Sequence, residues 1–329
     1  MSKASNKFLA NKFSFIRSFI GEYIGLTLVL LLLLAVFGTM ANNFFTKTTF
    51  LTIANQIPDI TIIAVGMTFV LIIAGIDLSV GSVMALSGAV LGVVLVRFEM
   101  PLPVALFACL CSGLMCGLFN GTVIINWRLP SFIVTLGMME IARGGAYMAT
   151  ESRTMYLGTP VEAIAQVSIF GLSLPFITAF AIVLLGQFVL SRTVYGRYLI
   201  AIGTNEEALR LSGVDTRPIK LSVFALCSTL TAVAAIFHTA RLSSANPNAG
   251  YGLELQAIAA VVIGGTSLMG GRGSVISTFF GVLIIAVLGT GLSQLGAQES
   301  TKRLITGVVI VAAVILDYYR NRMRNVEQT

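Results

Sequence analysis

Long apolar runs separated by short polar breaks dominate the chain, at 23–40, 57–75, 80–96, 102–125, 132–149, 169–190, 221–239, 275–292 and 304–316. A tenth run, 253–269, is shorter and rich in glycine. Apolar stretches of about 20 residues fit the hydrocarbon core of a bilayer as helices. Lipid offers no partner for backbone polar groups, so a spanning segment must be a helix or part of a closed barrel. A barrel would show alternating segments of about 10 residues, and the sequence has none. The pattern predicts an all-α polytopic bundle of about ten transmembrane helices forming one membrane domain over 1–329. Outside the spans lie an N-terminal segment (1–20), a polar loop (191–220) and a tail (318–329).

Composition agrees: 56% of residues are hydrophobic and only 11% charged, against about 25% charged in soluble domains. The net charge of +7 is unevenly placed. With ten spans and the N-terminus inside, the inner segments hold Lys3, Lys7, Lys12, Arg17, Arg128, Arg192, Arg197, Arg210, Arg217, Lys220, Arg272, Arg320, Arg322 and Arg324. The outer ones hold Lys47, Arg97, Arg153, Arg241, Lys302 and Arg303, and Arg143 falls within a span. Such an asymmetry follows the positive-inside rule and places both termini in the cytoplasm. It also favours a crossing by 253–269, without which the arginine-rich tail would lie outside. The basic patches suit an anionic membrane surface, not nucleic acid. The first run is too long for a signal peptide, lacks a small-residue cleavage site, and reads as an uncleaved helix.

The polar loop carries its own helix signals. Asn205 is placed to cap a helix start, with Glu206 and Glu207 in the favourable first turn. Ala208, Leu209, Arg210 and Leu211 continue it, and Gly213 ends it. A short amphipathic surface helix is expected, flanked by Arg192, Arg197, Arg217 and Lys220.

Small residues mark close contacts: Gly113, Gly117 and Gly121 form a ladder in the fourth run, and Gly88 and Gly92 repeat the spacing in the third. Such faces let helices approach closely in lipid, either within the chain or between subunits. The joint holding Gly75, Asp77, Ser79 and Gly81 is echoed by the joint holding Gly264, Gly265, Thr266 and Gly271. Paired glycine-interrupted segments point to a substrate path in transporters, though two tight hairpins give the same pattern. Polarity near these joints singles out Asp77, Ser79, Asn120 and Thr266 as path candidates. Glu140 and Arg143, three apart on one run, are expected to pair as a structural lock or polar lining.

Several chemistries find no support. Cys109, Cys111, Cys116 and Cys227 lie in apolar runs without zinc spacing. His238, the single histidine, has no ligand or catalytic partner in the pattern and reads as a packed or pore-lining residue. The stretch from Gly265 to Arg272 starts like a phosphate loop but lacks its Lys-Ser/Thr ending. No catalytic, cofactor or metal site is therefore expected, and nothing suggests ion-gradient coupling through clustered carboxylates.

Four ordered blocks carry a family resemblance. They are Ala64-Val65-Gly66-Met67-Thr68 with Gly75-Ile76-Asp77-Leu78-Ser79-Val80-Gly81-Ser82; Pro130-Ser131-Phe132-Ile133-Val134-Thr135-Leu136-Gly137 with Arg143-Gly144; Ala240-Arg241-Leu242-Ser243-Ser244; and Glu254 with Ala257 through Leu268 and Gly270-Gly271. Over nearly the whole chain the sequence resembles the permeases of ribose-type ABC sugar importers, in the branched-chain amino acid/ribose permease superfamily. The resemblance implies a bacterial inner-membrane subunit that pairs with a second copy or close homologue and forms the sugar pathway. It further implies a periplasmic sugar-binding protein and two cytoplasmic subunits that bind ATP and magnesium, with no cofactor in this chain. The segment Glu207-Ala208-Leu209-Arg210-Leu211-Ser212-Gly213 resembles the Glu-Ala-Ala-x3-Gly coupling segment of importers, departing from it at Leu209. The alternatives are a secondary sugar transporter or facilitator working alone, and a membrane-embedded enzyme, for which clustered catalytic groups are missing.

Overall fold

Apolar runs become helices almost wherever they occur, since an intrahelical hydrogen bond satisfies each backbone group without water. The computed structural model describes residues 23–169 and 171–326, so the N-terminal segment 1–20 and residues 327–329 lie outside it. Helix α1 covers Tyr23–Met40. It is followed by α2 (Lys47–Gln56), α3 (Pro58–Ile72) and α4 (Val80–Gly92), which continues as a π-helical turn over Val93–Arg97. Next come α5 (Leu102–Trp127), α6 (Ser131–Thr150), the short strand β1 (Met155–Tyr156) and α7 (Thr159–Gln166). A small hairpin of β2 (Ser168–Ile169) and β3 (Leu172–Ser173) leads into α8 (Leu174–Arg192) and α9 (Val194–Leu211). The chain ends with α10 (Arg217–Leu242), β4 (Ser244–Ala245), α11 (Leu253–Ile263), α12 (Val275–Gln294) and α13 (Glu299–Val326).

The protein is an all-α membrane protein, and its strands are two residues long. Among the described residues, six helices (α1, α4 with its π turn, α5, α8, α10 and α12) are long and apolar enough to cross a bilayer. The pair α2 and α3, bent by 46°, supplies a seventh if taken as one span. Of the three remaining expected spans, α6 carries Glu140 and Arg143, α11 has only 11 residues, and the run 304–316 lies within α13.

The glycine ladder settles on an intramolecular partner. A Cβ at Gly113 would meet Ser228 O and Ala232 Cβ, both at 2.6 Å; at Gly117 it would meet Phe224 O at 2.5 Å, and at Gly121 Leu221 Cδ1 at 2.8 Å. Three glycines four apart on α5 thus seat four positions of α10, backbone against backbone, in the way small residues permit within lipid.

The shortness of α11 has a visible cause. On one face of α4, Gly92 packs against Ala245, and Gly81 packs against Gly250 and Glu254. Those glycines stand about 16 Å apart along the helix at 1.5 Å per residue. Residues 245–250 therefore descend alongside α4 without helical structure, and α11 starts partway through the bundle. Its 11 residues cover about 16 Å, roughly half a hydrocarbon core.

Unwound backbone at that depth needs donors, and Arg143 supplies them. Its guanidinium donates to Pro247 O at 2.5 Å and Ala249 O at 2.8 Å, while Tyr147 Oη donates to Asn248 Oδ1. The expected Glu140–Arg143 lock does not form; Glu140 is exposed, and Arg143 is committed to the carbonyls of the descending turn.

Candidate coupling segment, buried joint and transmembrane cleft

Helix α9 is two helices merged across a bend. Asn205 takes φ −162° and ψ 92°, and its Oδ1 accepts from Ala208 N at 2.9 Å, the capping geometry its position predicts. The helix restarts at Glu206 and stops where Gly213 adopts φ +90°, a left-handed conformation that suits glycine. Glu206 points back at the body: Lys220 Nζ donates to it at 3.0 Å and 3.2 Å, and Thr216 Oγ1 at 2.8 Å. Burial alone would raise the Glu206 pKa. The hydrogen bonds from Lys220 and Thr216, with the charges of Lys220 and Arg210, outweigh it and hold the carboxyl below its ordinary value.

Leu209 packs against the main apolar core, which explains the departure at this position: the larger side chain anchors the segment to the bundle. Opposite it, Glu207, Ala208 and Ser212 are exposed, and Leu211 is 82% exposed. Glu207 meets Arg210 at 3.3 Å, one turn along the same outward surface. A pocket of about 430 Å³ sits beside the segment, bounded in part by Arg128, Arg217 and Asp215.

The first half of α9 rests directly on both glycine-rich joints. A Cβ at Gly203 would collide with Ile72 O and Gly271 N, and one at Gly271 would lie 2.7 Å from Thr204 Oγ1. Gly271 N in turn donates to Ile72 O at 2.8 Å, and Gly270 lies against Ala74. The two echoing joints are therefore in contact. Gly75 packs on Val70 and Phe224, Gly264 packs on the Ser277 main chain, and Gly265 turns with φ +85°.

Three of the four path candidates come together in the first joint. Asp77 Oδ1 accepts from Ser79 N at 2.9 Å and Ser79 Oγ at 2.6 Å, and Asn120 Nδ2 donates to Ser79 Oγ at 3.2 Å. Neighbouring Thr135 accepts from Leu78 N and donates to Ile76 O. Thr266 lies in the second joint, with no hydrogen bond to this cluster among the described residues. All four candidates are fully buried within the chain, so in this conformation none borders open space.

Open space lies elsewhere. An open cleft of about 830 Å³ is bordered by α2, the start of α3, α11, α12 and α13. Its lining includes Thr48 and Glu299 together with Tyr251 and Gly252, where the descending segment ends. Gln294 Nε2 donates to Thr49 Oγ1 at 2.8 Å, linking α12 to α2 at its edge.

One buried charge escaped the sequence reading. Asp59, in the first turn of α3, accepts from Arg241 at 2.6 Å and lies 2.8 Å from His238 Nδ1. His238 is thus hydrogen-bonded beside the Asp59–Arg241 ion pair, not a lone packed ring. The available signal was Asp59 itself, an ionisable residue just after Pro58 inside an apolar run.

A family profile described as "Branched-chain amino acid transport system / permease component" matches residues 49–314. The chain belongs to this permease family. Similar members include the ribose import permease protein RbsC of Escherichia coli (strain K12), 41% identical over 296 residues that cover 88% of this chain and 92% of that protein. The fructose import permease protein FrcC of Rhizobium meliloti is 33% identical, covering 89% of this chain and 84% of that one. The D-allose transport system permease protein AlsC of Escherichia coli (strain K12) is 34% identical, with coverage of 89% and 90%. This permease is accordingly a multi-pass membrane protein, and these relatives are transporter subunits.

Proposed function

We propose that this permease is the membrane subunit of an ATP-driven ABC importer in the bacterial inner membrane. Two copies, or one copy and a close homologue, form the pathway for ribose or another monosaccharide delivered by a periplasmic binding protein. ATP and magnesium belong to two cytoplasmic partner subunits. The chain crosses the membrane ten times, with α2 and α3 as one bent span and the descending segment plus α11 as another, and both termini are cytoplasmic.

The observation that carries this reading is the surface helix of 206–211. It is capped by Asn205, stopped by Gly213, fixed to the body through Leu209 and Glu206, and presents Glu207, Ala208 and Leu211 outward. A partner that closes on ATP and grips this helix displaces α9 against both joints. The energy for changing access comes from the partners' different affinities for the two conformations. Relatives named for ribose, fructose and allose import support the sugar assignment.

The test is reconstitution with the cognate ATPase and sugar-binding subunits. Glu207→Lys and Gly213→Phe are expected to abolish sugar-stimulated ATP hydrolysis while leaving membrane insertion intact. Unchanged stimulation would refute the coupling role. Uphill sugar accumulation by vesicles holding this chain alone would instead establish a self-powered transporter.

A further inference from the structure

Resting on the sugar-import reading, we infer that the cleft between α2, α11, α12 and α13 is where this chain holds the sugar in transit. The Asp77–Ser79–Asn120 joint is fully buried and borders no open space in this conformation. The cleft has the size of small-molecule sites, about 830 Å³, and its chemistry is that of a site for a neutral polyhydroxylated ring. Hydroxyl and amide groups line three of its walls: Thr48, Thr52 and Gln56 on α2, Gln256 on α11, and Thr290 and Ser293 on α12. Apolar patches at Ile60, Val282 and Ala286 suit the C–H faces of a sugar, and Tyr251, 75% exposed, offers an aromatic surface. At one end Glu299 contacts Lys302 at 3.2 Å and Arg303 at 3.5 Å, and every other polar side chain of the lining is uncharged.

Two further features separate this cleft from a fold in the lipid surface. The amides of Gln56 and Gln256 on its walls would lose hydrogen bonds against acyl chains. Its lining includes Tyr251 and Gly252, which directly follow the unwound turn that Arg143 and Tyr147 support and lead into α11. Broken helices at mid-depth are where transporters of other folds place their solute. The cleft is also widened by glycine: a Cβ at Gly252, Gly289 or Gly307 would meet no atom within 4 Å.

Those glycines provide the test. Gly289→Phe and Gly307→Phe would place a ring at the cleft wall, where an added Cβ meets no atom within 4 Å, and Gly25→Phe on α1, equally open, is the control. The complete importer in proteoliposomes is assayed with labelled D-ribose, D-fructose and D-allose. Uptake should fall at least tenfold in both cleft variants and stay unchanged in the control. As an independent measurement, Thr290→Cys in the intact complex should react with a charged, membrane-impermeant thiol reagent. The transported sugar should slow that reaction at least threefold, with wild-type labelling subtracted. Normal uptake by the cleft variants, or a Thr290→Cys that resists labelling or gains no protection, would overturn the cleft assignment alone. A wild-type complex that imports none of the three sugars would bring down the sugar-import reading and this inference together.

Discussion

Arg241 Nη2 stands 2.6 Å from Asp59 Oδ2, tying the last turn of α10 to the first turn of α3 across 182 positions of sequence. The carboxylate is buried, and His238 shares the same oxygen at 2.8 Å. Replacing Asp59 by Asn keeps the shape but strands a guanidinium that is one-third exposed. The expected loss is about 1–3 kcal/mol, read as a drop of several degrees in the unfolding temperature of detergent-purified protein. Adding Arg241→Gln should recover part of that loss, since the two residues act as one unit. Additive effects would show that they do not.

The α5 ladder should tolerate no side chain. At Gly117 an added Cβ lies 2.5 Å from Phe224 O and 2.8 Å from Ala225 Cα, both backbone atoms that cannot rotate away. Gly117→Ala is expected to destabilise by about 1–3 kcal/mol, the usual cost of overpacking. Gly144→Ala on α6, where a Cβ meets nothing within 4 Å, should be neutral or slightly stabilising. Equal thermal stability of the two variants would refute the packing account.

Leu209 and Leu211, two residues apart, should separate stability from coupling. Leu209→Ala removes a core contact and should lower the unfolding temperature of the chain alone. Leu211→Asp alters a side chain that is 82% exposed. It should leave that temperature unchanged yet cut sugar-stimulated ATPase in the assembled complex at least tenfold. A reversed pattern would mean that the segment sits the other way round.

Acidification should loosen the segment through Glu206. Its folded pKa lies below the ordinary 4.5, so ionised Glu206 favours the docked segment. That contribution is complete above the ordinary value and is lost as pH falls through the depressed one. A spin label at Glu207→Cys should become mobile only below about pH 4.5, and added Glu206→Gln should remove the transition, leaving the label mobile throughout. Persistence of the transition without Glu206 would assign it to another group.

Much of the bundle was legible because lipid imposes one period and one length on a spanning helix. The ends of α1, α4 and α5 fall close to the boundaries of the apolar runs, and the Asn205 cap and Gly213 stop are local signals whose meaning needs no distant partner. What could not be read was long-range. Arg143 finds its carbonyls 104 and 106 residues away, while Glu140, only one helical turn off, offered a plausible local partner. The run at 253–269 is apolar enough to suggest a span. Nothing local reveals that the preceding turn has already travelled half the depth, because that descent depends on Gly81 and Gly92 in another helix. Polarity alone drew attention to Asp77, Ser79 and Asn120, and it cannot show that all three are buried and joined through Ser79.

Gly203 and Thr204 touch Ile72 and Gly271 largely main chain to main chain, with Asn205 as the only extended residue inside α9. Compliance in α9 is therefore concentrated at Asn205. Before it, at Gly203 and Thr204, a displacement meets mostly peptide groups with little side chain to swing aside, and it reaches the α3–α4 and α11–α12 junctions together. Stiffness at that contact makes the two halves of the bundle answer a single push in unison.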